Sequence, residues 1–243
     1  VDLFERAADA WRRAHDAPQA FAAELQAWNV TLVLRGSRVV LEGSEPLLAR
    51  AGSGPARAQV LTLRANAFLN EARYAQALAE SVAALGCAAP GSATAREAAT
   101  LHGRALALTG RSEEALQALS AARDAAAAAG DDTQTLVALG ALAHALQVAG
   151  RLGDAQQTQQ QAHDLALRLG DATALGQASC NLATLQCLCG APLTAWHSAR
   201  DADRRLQALG ARDAHWVYNR ITLARCAAHL GRLDEAAAVL DAI

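Results

Sequence analysis

Three cysteines, Cys180, Cys187 and Cys189, lie close together with His197 not far behind. Thiolates and an imidazole are donors that zinc favours. Their spacing argues against a shared ion. On a helix Cys180 and Cys187 share a face about 10 Å apart along the axis, whereas Cys189 points roughly 200° away from Cys187. The thiols read as small buried or groove-lining side chains. No metal and no cofactor is expected.

Other patterns that could carry chemistry have simpler explanations. The run GSGPAR at Gly52 to Arg57 enters a helix as a phosphate cradle would. It follows no strand and has no lysine, so it reads as a linker. None of the seven histidines stands four residues from another, as a zinc helix requires. Glu113-Glu114 and Asp131-Asp132 fall in first helical turns, where negative charge suits the dipole. Arg204-Arg205 beside Asp201 and Asp203 reads as a solvated face. All 22 basic residues are arginine, which excludes a P-loop or Schiff-base lysine. No nucleophile, base and orienting group come together, so the reading is not an enzyme.

Composition points to helices. Hydrophobic residues make up 52% of the 243 and aromatic residues only 4%, with alanine and leucine, strong helix formers, carrying the apolar content. The formal net charge of -2 creates no field toward nucleic acid or an acidic membrane. No run reaches the roughly 18 apolar residues of a membrane span and no signal peptide is visible. A cytoplasmic location is the default expectation. Five cysteines without a framework of spacings suit free thiols in a reducing compartment. The absence of methionine suggests a segment of something longer.

Internal repeats are plain. The strings LTGRSEEAL, VAGRLGDA, LCGAPLTA and HLGRLDEA align on Gly110, Gly150, Gly190 and Gly231, at spacings of 40, 40 and 41. An earlier copy, EARYAQAL, has Ala72 in the glycine slot, and Gly36 marks a weaker one. Gly130-Asp131, Gly170-Asp171 and Gly210-Ala211 form a second mark at 40-residue intervals. Glycine tolerates the left-handed conformation that ends a helix, and Asp just beyond can cap the next. Two marks per period therefore mean two helices per period. Leu136, Leu139, Leu142 and Leu146 give one of these helices a single apolar stripe. One hairpin cannot bury such a stripe alone, whereas stacked neighbours can.

This pattern resembles the tetratricopeptide (TPR) repeat family. The resemblance rests on large-small pairs in the first helix (Leu142-Ala143, Leu182-Ala183, Leu223-Ala224, with Gly103 in an earlier small slot), on the turn glycine, and on small residues in the second helix at Ala77, Ala115, Ala155, Ala195 and Ala236. It covers roughly residues 54 to 243. The period of about 40 exceeds the usual 34. Long repeats of this kind are similar to the TPR regions of large bacterial regulators of the MalT and LuxR type, and to those ahead of cyclase modules. The fold implied is all-α, an α-α superhelix or solenoid of about five to six helix pairs.

The expected helices begin with Asp2 to His15, the second helix of an incomplete pair. Pro18 opens Gln19 to Leu34, and Gly36 to Gly54 is irregular with a short helix near Pro46 to Ala51. Pairs follow at Pro55 to Leu69 with Tyr74 to Leu85, Thr94 to Leu108 with Ser112 to Ala129, Asp132 to Ala149 with Leu152 to Leu169, Ala172 to Cys189 with Pro192 to Leu209, and Asp213 to Leu230 with Leu233 to Ile243. Residues 1–53 thus form a degenerate N-terminal region and 54–243 the repeats, divided at about 90, 130, 170 and 210.

The resemblance also implies where a partner binds. First helices of TPR pairs line the concave side, and the residue after the small one points into the groove. Here that ladder is Asn66, Arg104, His144, Thr184 and Arg225. Thr62, Asn70, Thr100, Gln147, Cys180, Cys187, Tyr218, Ile221, Ala228 and His229 lie around it. Two arginines on a polar ladder suit an acidic, extended protein or peptide segment. The function expected is a protein-interaction array within a larger bacterial signalling or transcription-regulatory protein. A peptide or small-effector sensor and a purely structural scaffold are the alternatives. Homo-oligomerisation through the array ends stays open, and no direct contact with nucleic acid or membrane is expected.

Overall fold

The structure, a computed structural model, describes residues 2–210 and 214–243. Among the described residues there are fourteen helices and no strand. They are α1 (Asp2–Arg13), α2 (Ala17–Leu34), α3 (Ser37–Gly43), α4 (Glu45–Arg50), α5 (Pro55–Asn70), α6 (Tyr74–Cys87), α7 (Ala93–Leu108), α8 (Ser112–Ala128), α9 (Asp132–Val148), α10 (Leu152–Leu169), α11 (Ala172–Leu188), α12 (Pro192–Ala208), α13 (Ala214–His229) and α14 (Leu233–Asp241). None is long and apolar enough to cross a membrane.

The punctuation has a conformational cause. Gly110, Gly150, Gly190 and Gly231, just beyond α7, α9, α11 and α13, have φ of 82°, 76°, 81° and 75°. That left-handed region crowds a Cβ against the following carbonyl. Ala72 enters it nonetheless, with φ of 55° in the glycine slot after α5. Asp131 and Asp171 cap α9 and α11, accepting from the backbone N–H of Gln134 at 3.1 Å and of Ala174 at 2.9 Å. Ala211 and the expected helix start at Asp213 lie outside the described residues.

One segment differs from the sequence expectation. The stretch from Gly36 to Gly54 holds two helices, α3 and α4, rather than one. The indole of Trp28 lies so close to Gly43 that a Cβ there would overlap it, which lets α3 settle onto α2. Val40 and Leu47 are fully buried and join Leu25, Val60 and Leu63 in one apolar cluster. Tertiary packing thus stabilises helices too short to show a period.

The chain divides into two compact units, residues 1–125 and 126–243. In the first, α1 packs on α2, α3 on α5, and α5, α6 and α7 pack against one another. Small residues set the approach of α7 to α8, because a Cβ on Gly103 would stand 2.5 Å from the Leu119 Cγ. In the second unit α9–α10, α11–α12 and α13–α14 are hairpins, with α10 on α11 and α12 on α13. Ala77, Ala115, Ala155, Ala195 and Ala236 are all buried at helix crossings, as the small-residue pattern requires.

Candidate functional site

The second unit contains a cleft between α9 and α11. Gly140, Ala143, His144 and Gln147 of α9 face Asn181, Thr184 and Leu185 of α11 around a cavity of about 140 Å³, with Tyr218 of α13 at its edge. A second cavity of about 290 Å³ is bounded by Leu136, Val137, Ala162, Ala174 and Ala178, among others. Gly140, Gln159 and Asn181 line both, so the two cavities adjoin along one groove face.

Each of these three residues has a reason to be there. A Cβ on Gly140 would meet nothing within 4 Å, so the missing side chain adds width. Gln159 reaches the groove from α10, is 2% exposed and donates its Nε2 to the Ala178 carbonyl at 3.3 Å. Asn181 stands exposed on α11, with its carboxamide available to a ligand. The wall of α11 is fixed by Thr184, whose hydroxyl bonds the Cys180 carbonyl and the Thr222 hydroxyl, each at 3.1 Å.

The groove is graded in polarity. Its Leu136–Ala178 end is mainly apolar, with Val137 46% exposed and Thr133, Asp171 and Gln177 also on its border, while amides, a hydroxyl and an imidazole occupy the His144–Tyr218 end. No arginine lines either cavity. Backbone amides of an extended chain pair well with carboxamides and hydroxyls, and small apolar side chains suit the other end.

Of the residues expected at the groove, His144, Gln147, Thr184 and Tyr218 come together here. Cys180 is buried in α11, and burial pushes its thiol up to about 12. In the first unit Thr62 and Thr100 are buried, their hydroxyls bonding the Ala58 carbonyl at 2.8 Å and the Arg96 carbonyl at 3.1 Å. Asn66 is half-buried and Asn70 exposed on α5. Arg104 is half-buried on α7, where crowding lowers its pKa. On α13, Arg225 is half-buried with its Nε lacking a hydrogen-bond partner, while Ile221, Ala228 and His229 are exposed. Cys187 is half-buried against Cys226.

Sequence reasoning missed Gly140, Gln159 and Asn181. Gln159 carried a signal, because it is the polar member of the otherwise apolar stripe Ala155, Gln159, Ala162, Ala166 on α10.

No family model matches the sequence, and no curated protein matches it. Solved structures do match in fold. BtubC (BKLC) from P. vanneervenii aligns with a TM-score of 0.65 at 17% identity, over 91% of this chain and 89% of that one. A putative kinesin light chain of Podosopora anserina with nearly identical TPR-like repeats aligns with a TM-score of 0.62 at 16% identity, over 76% of this chain and 92% of its own. A Rap protein complexed with Competence and Sporulation Factor aligns with a TM-score of 0.65 at 13% identity, over 98% of this chain but only 63% of the Rap chain. The chain therefore has the fold of the TPR-like helical repeat proteins.

Proposed function

We propose that this chain is a protein- or peptide-binding repeat array, and that the groove between α9 and α11 receives an extended segment of its partner. The observation that carries this reading is the pair of adjoining cavities that share Gln159 and Asn181 and are widened at Gly140. Its lining favours a segment whose main chain meets Asn181 and Gln147 and whose small apolar side chains meet Val137 and Ala174. Because no arginine lines the cleft, an acidic partner is not required there. The Rap structure, solved in complex with a factor, supports occupancy of such a fold by a ligand.

The repeat period of about 40 supports a finer reading. The array is the sensory or regulatory segment of a larger bacterial protein, and occupancy of the groove is passed to an output module elsewhere in that protein. Peptide display against the chain tests the site, with a counter-screen against Gly140→Phe, whose ring would fill the cleft. Sequences that bind wild type and not Gly140→Phe are expected. Recovery of no binder, or of binders indifferent to Gly140→Phe, would remove the groove from the function.

A further inference from the structure

Cys187 of α11 and Cys226 of α13 meet where these two helices pack. The Cys226 thiol hydrogen-bonds the Cys187 sulfur, and Cys187 packs against the apolar cluster that holds Cys226. A second contact between the same helices fixes their approach. The Thr184 and Thr222 hydroxyls lie 3.1 Å apart, and Cys187 and Cys226 stand three and four residues further on, one turn along the facing sides. Both hydroxyls also bond carbonyls of their own helices, Cys180 and Tyr218, at 3.1 Å. The thiols are thus brought together by a crossing that is held independently of them.

Packing alone does not call for two thiols at these positions. One period earlier the same positions hold Gln147 and Leu185, a polar and a bulky apolar side chain. Here two oxidisable groups stand in contact instead. They differ in access. Cys226 is buried, whereas Cys187 is half-buried at the repeat position from which Gln147 borders the α9–α11 groove. A small solute therefore reaches Cys187 first. Arg225, half-buried with its Nε lacking a hydrogen-bond partner, places positive charge beside Cys226. Electropositive surroundings favour the thiolate, the reactive form.

We propose that Cys187 and Cys226 are a peroxide-reactive dithiol that closes to a disulfide between α11 and α13. The Cys187 thiolate attacks one oxygen of a hydroperoxide. A sulfur–oxygen bond forms, the oxygen–oxygen bond breaks, and the departing oxygen takes up a proton to leave as water or an alcohol. Cys187 is then a sulfenic acid, which condenses with a thiol. The Cys226 sulfur gives up its proton and attacks the Cys187 sulfur, and the sulfenic hydroxyl leaves with that proton as water. The two thiols supply the two electrons that reduce the peroxide. The bond ties α11 to α13 and fixes Thr184 and Leu185 relative to Tyr218 at the cavity edge they share, whatever that cavity holds.

Hydrogen peroxide is the probe, added to the dilute native chain, with free thiols blocked afterwards and the peptides mapped by mass spectrometry. Wild type is expected to lose two hydrogen atoms and to yield one linked peptide pair containing Cys187 and Cys226, and dithiothreitol should reverse both changes. Cys189→Ser, which removes the exposed thiol, should form the same bond. Cys187→Ser should leave Cys226 unlinked. Cys226→Ala, and Cys226→Ser with a side chain of the original shape, should stop at a Cys187 sulfenic acid that dimedone captures. Wild type whose Cys187 and Cys226 stay reduced under peroxide, or whose Cys187 links instead to another chain, would overturn the proposal.

Discussion

Asn219 and Gln159 fasten successive helix crossings with the same kind of bond made from opposite sides. Gln159 of α10 donates to the Ala178 carbonyl of α11 at 3.3 Å, and Asn219 of α13 donates to the Ala199 carbonyl of α12 at 3.0 Å. Gln159 and Ala199 each lie nine residues after a turn glycine, and Ala178 and Asn219 each lie twelve before one. Donor and acceptor have changed helices while the crossing has stayed the same. Asn219→Ala should remove this buried hydrogen bond, leaving the Ala199 carbonyl with its helical partner alone, and cost about 0.5–1.5 kcal/mol. Adding Ala199→Gln recreates the upstream arrangement and should recover part of that loss. Urea midpoints measure both, and a double variant no more stable than Asn219→Ala alone would mean the two crossings are not equivalent.

Ala72 offers the opposite case, a gain in stability from one substitution. It holds the left-handed conformation that glycine holds in later repeats, at φ of 55°. An L-residue there costs about 1–2 kcal/mol relative to the right-handed region. Part of the gain from glycine is offset by its larger entropy in the unfolded chain. Ala72→Gly should therefore raise stability by about 1 kcal/mol. A lower melting temperature for Ala72→Gly would show that the methyl group makes a contact worth more than the strain.

Ala155 and Gly140 test the crossings and the groove together. Ala155 is 0% exposed, and Ala155→Leu should cost about 1–3 kcal/mol through overpacking. A Cβ on Gly140 meets open space, so Gly140→Ala should stabilise α9 by about 0.5–1 kcal/mol. Thermal melts with opposite signs for the two are the expected outcome. Equal melts for Ala155→Leu and wild type would move α10 off its crossing.

The architecture was legible because the periods carry marks with a local cause, a left-handed glycine after α7, α9, α11 and α13 and an aspartate cap before α9 and α11. Gly150 and Asp171 do their work within a few residues, so a sequence displays it directly. The α3 helix was not legible, since it depends on Trp28 meeting Gly43 across a turn. The groove was half legible. His144, Gln147, Thr184 and Tyr218 follow from the period, whereas Gln159 enters from a second helix and Gly140 matters through an absent side chain. Arg104 and Arg225 share the ladder position of His144 but line neither cavity, because cavity shape depends on helix separation and not on period alone.

Glu97 makes stability depend on pH with a definite sign. Although the Glu97 side chain is exposed, partial desolvation by nearby protein raises its folded-state pKa above the ordinary 4.5, so the folded protein holds that proton more tightly than the unfolded chain does. The resulting contribution is fully present below the unfolded value and lost as pH rises through the folded one. Glu97→Gln removes that loss. The variant should be more stable than wild type at about pH 7 and equal to it at about pH 3. A stability difference that does not change between these two conditions would mean that Glu97 is as well solvated folded as unfolded.

The five cysteines should react in an order set by burial. Cys189 is exposed at the end of α11, Cys87 and Cys187 are half-buried, and Cys180 and Cys226 are buried. Burial pushes Cys180 up to about 12; for Cys226 burial, and then the hydrogen bond with Cys187, push it to about 12 as well. The thiolate is the reactive form, and at about pH 8 a group of pKa about 12 is ionised roughly once in ten thousand molecules. Cys189, the exposed thiol, should label first with an aromatic disulfide reagent. Cys180 and Cys226 should label only after denaturant is added. Peptide mapping by mass spectrometry after timed labelling separates the positions. Native labelling of Cys180 at the rate of Cys189 would show that α11 opens to solvent along the face that packs against its neighbours, and the wall of the α9–α11 groove would then not be rigid.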